Sequence, residues 1–114
     1  MNIYDEALAD IRKYGHYKGD FYSDLEHPFK SSACMRGALH RVNGSALAAV
    51  QSQTAISTTG EGLLEDIIAE QFPDRLAPVG RNITAHFNDH EDTTLDEVIA
   101  IFEKASIIED EKVS

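Results

Sequence analysis

Thr94-Leu95-Asp96-Glu97-Val98-Ile99-Ala100-Ile101-Phe102-Glu103-Lys104-Ala105 is the stretch that decides the fold. Thr94 followed three residues later by Glu97 is a pattern in which two side chains cap a helix start reciprocally. Behind it, Leu95, Val98, Ile99, Phe102 and Ala105 recur at three- and four-residue intervals. That spacing is the buried face of an α-helix and does not suit a strand.

The same period runs upstream. Tyr4, Ala7, Leu8, Ile11 and Tyr14 form one stripe, and Gly15 follows where helix ends favour glycine. A second helix is expected from Ser31 or Ser32, as N-cap, to just before Asn43-Gly44. A third, rich in small residues, runs from Ser45 to about Thr54. Thr58 or Thr59 caps a fourth, with Leu63, Leu64, Ile67, Ile68 and Phe72 on one face and Pro73 ending it. Leu76 to Gly80 reads as a connector, and Asn82 to Phe87 as a short helix delivering His86 and Asp89 to the final turn.

Strand signal is confined to Tyr17-Lys18-Gly19-Asp20-Phe21-Tyr22, where aromatics flank a glycine turn and suggest a small β-hairpin. It lies inside the linker from His16 to Lys30, long for a connector in a small domain. Such a segment is either packed by its own aromatics (Tyr17, Phe21, Tyr22, Phe29) or functional. The expected fold is all-α, a compact bundle of four to five short helices forming one domain over residues 1–106. Residues 107–114, with Glu109-Asp110-Glu111, are expected to be an acidic, frayed tail.

At 114 residues, 42% hydrophobic and 26% charged, the chain is of ordinary globular composition and long enough for a core without disulfides or metal. A single cysteine cannot form an intramolecular bridge, so a reducing, cytoplasmic setting is expected. The acids at Asp5 and Glu6 do not suit a signal peptide, and no apolar run is long enough to span a membrane. The net charge of −10 is unevenly placed. Residues 31–60 hold Arg36 and Arg41 and no acid, whereas residues 61–114 hold fourteen acids against four bases. That excludes direct nucleic-acid binding through a basic patch. It leaves open a basic protein partner, mimicry of nucleic acid, or a merely solvated surface, the last being preferred to mimicry.

The chemistry turns on Cys34. A lone thiol with His86, Asn88 and Asp89 some fifty residues on is the residue list of a cysteine nucleophile, its base and an orienting group. On a helical wheel, however, Cys34 edges the apolar arc of Met35, Ala38, Leu39 and Val42, so a small buried hydrophobe is the preferred reading. Arg36, His40, Gly37 and Arg41 fall opposite, making Arg36, His40 and Arg41 a candidate exposed contact patch. His86 and His90 at i, i+4, with Asp89 or Asp92 as third ligand, are a weak metal candidate. Neither pattern is specific, and the structural reading of Phe87-Asn88-Asp89 is preferred: a core plug followed by side chains that satisfy loop amides. No cofactor is expected.

Lys18-Gly19-Asp20-Phe21, Cys34-x-x-Gly37-Ala38-Leu39, and aromatic-Asn88-Asp89 ahead of Thr94-x-Asp96-Glu97-Val98 together resemble a family of small uncharacterised proteins from actinobacteria and their phages. The likeness spans roughly residues 4 to 105, with Phe87 where that pattern has tryptophan. It implies an intracellular protein, plausible as a phage or prophage product, with Cys34, Gly37, Phe87, Asn88 and Asp89 as signature positions. It carries no activity. A glycine in mid-helix suggests close packing there, with Phe87 as candidate neighbour and a joint between the second helix and the approach to the last. The expectation is a non-catalytic, acidic interaction domain binding a host or phage protein; the alternative is a hydrolase or transferase using Cys34, His86 and Asp89 or Asn88.

Overall fold

Asn2 starts the first helix, α1 (Ile3–Tyr14). Its side-chain oxygen accepts the Tyr4 and Asp5 amides at 3.0 and 3.1 Å, and the Asp5 carboxylate accepts the Asn2 amide. Tyr4, Ala7, Leu8 and Ile11 are buried as their spacing predicts, and the Gly15 amide closes the helix on the Ile11 carbonyl. The computed structural model describes residues 2–51 and 58–113, which hold α1, α2 (Met35–Val42), α3 (Ala46–Gln51), α4 (Glu61–Gln71), a 3-10 turn (Pro73–Arg75), α5 (Ile83–Asp89) and α6 (Leu95–Val113). The chain is all-α among the described residues, with no sheet.

Helix α1 packs on α2 and α6, α4 on α5 and α6, and α2 on α3 and α5. Met35, Leu39, Leu64, Ile68, Phe87 and Phe102 fill the middle and are fully buried. Each such side chain contributes about 1.5–3 kcal/mol relative to exposure.

Several details differ from the sequence expectation. No hairpin forms around Gly19. Instead His16 and Tyr22 both bridge to Ala33, the first in parallel and the second antiparallel. The Tyr17 amide donates to the Ala33 carbonyl and the Ala33 amide to Gly15, while the Ser23 and Cys34 amides bond the Ser32 and Phe21 carbonyls. One extended residue thus satisfies backbone on two sides, and residues 16–33 become a strap. Because that pairing engages the backbone of Ser32, Ala33 and Cys34, α2 starts at Met35, with Cys34 rather than Ser31 or Ser32 as its cap.

The described part of the third helix ends at Gln51; its expected continuation to Thr54 lies outside the described residues. Helix α4 begins after Gly60, whose φ of 91° suits glycine alone. The Glu61 carboxylate there accepts the Thr58 amide at 3.2 Å.

In α6 the Thr94–Glu97 capping box is present, but the buried stripe is Val98, Ile101, Phe102 and Ala105, and Leu95 is exposed. The helix is wedged between α1 and α4, which centres the core-facing arc on Ile101 and Ala105. Nor does the segment from Ile107 fray. The Asn2 amide group donates to Ser106 and to Asp110 at 2.9 Å, and Ile108 packs on the core, so the helix continues to Val113.

Candidate functional site

The start of α2 collects most of the residues the sequence singles out. Cys34 caps the helix through sulfur: Sγ accepts the Gly37 amide at 3.2 Å. The Met35 amide, a second orphan donor of that turn, goes to Asn88 Oδ1 at 3.0 Å. The same oxygen accepts His16 Nε2 at 2.6 Å, which makes Nε2 the protonated nitrogen. Asn88 Nδ2 donates to the Tyr17 carbonyl at 3.0 Å and to Asp89 Oδ1 at 2.9 Å. Asp89 Oδ1 also accepts the Gly19 amide at 2.8 Å, and Lys18 Nζ donates to the His90 and Thr93 carbonyls just beyond α5. Asn88 thus ties the first turn of α2 to α5 and to residues 16 and 17.

The element packed closely on Gly37 differs from the candidate the sequence offers. A Cβ on it would lie 2.3 Å from the Phe21 carbonyl oxygen, so its close neighbour is the strap and not Phe87. Tyr22 Oη donates to the Gly37 carbonyl at 2.8 Å, completing the contact. Phe87 is buried elsewhere, 4.9 Å from Phe72 between ring centroids and beneath the Arg75 guanidinium.

Burial pushes the Cys34 thiol up to about 11; the Gly37 and Arg36 amides pull against this and the Asp89 charge adds to it. A nucleophilic cysteine needs the reverse, a thiol ionised near neutrality. Cys34, Arg36, Asp20 and Asp89 line one cavity of about 180 Å³. His86 lines the neighbouring one, of about 300 Å³, with Arg81, Asn82, Asp89 and His90. Asp89 and Ala85 border both cavities, whereas Cys34 lines only the first and His86 only the second. The His86 and His90 rings stand edge-on at 6.2 Å. Among the described residues, no three His, Cys, Asp or Glu side chains gather so as to hold a metal ion.

The patch of Arg36, His40 and Arg41 is corrected by burial. Arg36 is 4% exposed and His40 1%, because the strap lies over the polar face of α2. Arg36 pairs with Glu61 at 2.5 Å and lies 5.2 Å from the Phe21 ring centroid, which also meets His40 edge-on at 5.4 Å. His40 Nδ1 and Ser45 Oγ are 2.8 Å apart. Arg41 clamps Asp10 with two bonds of 2.8 and 2.6 Å and reaches the Pro28 and Ser31 carbonyls through Nη1.

What Arg41 holds from below is the most open apolar feature of the strap. Leu25, Phe29 and Leu47 are 43%, 59% and 50% exposed. They border a cleft of about 240 Å³ with Pro28 in its wall and Glu26, His27 and Lys30 around it. The turn beneath is well bonded: Ser31 Oγ donates to the Asp24 and His27 carbonyls, and His27 Nδ1 lies 2.7 Å from Asp24 Oδ2. In the sequence Phe29 is legible only as a candidate packing aromatic, and Leu25 and Leu47 carry no signal. Helical period carries no signal for a cleft built from a loop and a neighbouring helix.

No helix among the described residues is long and apolar enough to cross a membrane. A family model described as a family of unknown function (DUF6197) matches residues 1–106. No curated protein and no solved structure matches the chain.

Proposed function

The chain belongs to that family of unknown function, and from that premise we propose that it is a non-catalytic protein-binding domain whose contact site is the Leu25–Phe29–Leu47 cleft. One observation carries the reading: three large apolar side chains stand half-exposed around a single concavity on a bonded turn. Clustered exposed apolar surface marks contact sites more than scattered single residues do. A turn fixed before binding also loses less conformational freedom on association. That the partner is a host or phage protein, met in the cytoplasm, is part of the proposal and rests on the sequence resemblance alone. The hydrolase or transferase reading receives less support, since the Cys34 thiol is buried and raised to about 11.

The test compares immobilised wild-type chain with Phe29→Asp and Leu25→Asp variants in host lysate. The expected outcome is a protein retained at stoichiometric level by the wild type and lost from both variants, with cooperative thermal unfolding kept in both because each side chain is only half-buried. Identical retained sets on all three columns would sink the reading.

A further inference from the structure

Helix α6 is two-sided. Its core face is Val98, Ile101, Phe102 and Ala105, whereas along a second row at helical spacing Ala100, Ile107 and Ile108 are apolar and Lys104 and Glu111 are charged. With Glu103 they line a shallow groove of about 540 Å³. Ile107 is 60% exposed there, and Ile108 is shared with the core. Exposed apolar surface with charged rims, on the face turned from the core, suits a docked element.

Charge says what docks. Glu103 and Glu111 flank Ile107, and the one base of the row, Lys104, leans 3.8 Å from Glu70 of α4. Residues 61–114 carry fourteen acids against four bases. A second copy of the chain would bring acid against acid. We infer that the α6 groove binds a basic amphipathic helix of a partner protein, leucine-like side chains seating on Ala100, Ile107 and Ile108 and cationic side chains meeting Glu103 and Glu111. Such recognition reads anchors at i, i+3, i+4 and i+7, the spacing the groove itself presents. Opposite charge on the rims orients the incoming helix and speeds encounter. This surface is distinct from the Leu25–Phe29–Leu47 cleft, and each stands or falls alone.

The probe is a synthetic lysine–leucine peptide of about 18 residues, five helical turns, with leucines confined to one face. It is titrated calorimetrically into the full chain. Single-site binding is expected, and a shuffled peptide of identical composition and a version with glutamate for lysine should each bind at least about tenfold more weakly. Ile107→Asn, with an unchanged thermal midpoint, should weaken the peptide about tenfold. Glu103→Gln with Glu111→Gln should weaken it and flatten its salt dependence. Phe29→Asp should leave the peptide affinity unaltered, which separates this site from the cleft. Equal binding of the shuffled peptide, indifference to Ile107→Asn, or wild-type dimers that dissociate on Ile107→Asn would each overturn the inference.

Discussion

The Asn88 carboxamide makes four bonds while fully buried: two accepted from Met35 and His16, two donated to Tyr17 and Asp89. It thereby ties α5 to the strap and to the first turn of α2, a reach beyond the local loop amides that its place in the sequence suggests. Cys34 keeps one share, as an N-cap acceptor in a position where serine is far commoner. Gly37 is the other residue on which the joint depends. Replacing it with alanine pits two effects against each other. Alanine favours a helix over glycine by ~1 kcal/mol, but its methyl carbon would stand 2.3 Å from a backbone oxygen that cannot swing aside. Overpacking of this kind costs about 1–3 kcal/mol, and here the strap must lift as well. Gly37→Ala is therefore expected to lower stability by ~2 kcal/mol in urea denaturation. A neutral or stabilising result would show that Phe21 does not bear on α2 as described.

At the scale of elements, the strap over α2 is the feature that organises the molecule, and Arg41 is its fastening. Its guanidinium joins Asp10 of α1 to the Pro28 and Ser31 carbonyls, with the Tyr14 ring centroid at 4.7 Å. Lysine cannot reproduce a bidentate fork and two further bonds at once. Arg41→Lys is expected to cost about 2–3 kcal/mol, since a largely buried Asp10 loses its partner. Hydrogen exchange should then quicken at the Lys30 and Ser31 amides, which close the turn on His27, while α6 amides keep their order of protection. Unchanged exchange in that turn would show that the strap stands without Arg41. The same elements show what the sequence reveals and what it hides. Helices α1, α4 and α6 are legible because one-sided burial repeats along the chain at a fixed period. Even there the stripe of α6 is displaced from Leu95 and Ile99 toward Ile101, since the arc depends on two neighbours and not on one. Helix α2 misleads because polar residues on one face normally signify water. Here Arg36, His40 and Arg41 find Glu61, Ser45 and Asp10, partners that no local pattern announces. The cleft is hidden for the same reason: Leu25 and Leu47 border one concavity only because residues 16–33 lie over α2.

Across the whole molecule, charge is sorted by depth. Arg36, Arg41 and Arg75 turn inward onto Glu61, Asp10 and Glu97, so the surface is more one-sidedly acidic than the composition suggests. A chain of −10 built this way meets acid through a few interior groups as well as through its surface. The Arg75 fork on Glu97, with bonds of 2.9 and 2.8 Å, holds that carboxyl down at about 2, so the support it gives is present above the ordinary glutamate value and lost only toward pH 2. His16 acts earlier. Burial, aided by the Lys18 charge, holds its pKa below the ordinary 6.5 despite the bond to Asn88 and the nearby Asp89. The unfolded chain then takes up a proton at His16 more readily than the folded chain does. Its contribution is complete above pH 6.5 and declines as the pH falls from there to the folded value. His16→Gln can still donate to Asn88 yet cannot titrate. Unfolding free energies measured between pH 7.5 and 5 should therefore fall more steeply for the wild type than for His16→Gln, with the curves closest to parallel at the alkaline end. Parallel curves throughout would mean that the ring is protonated as readily inside the fold as outside it, and that the Asn88 joint does not exclude charge.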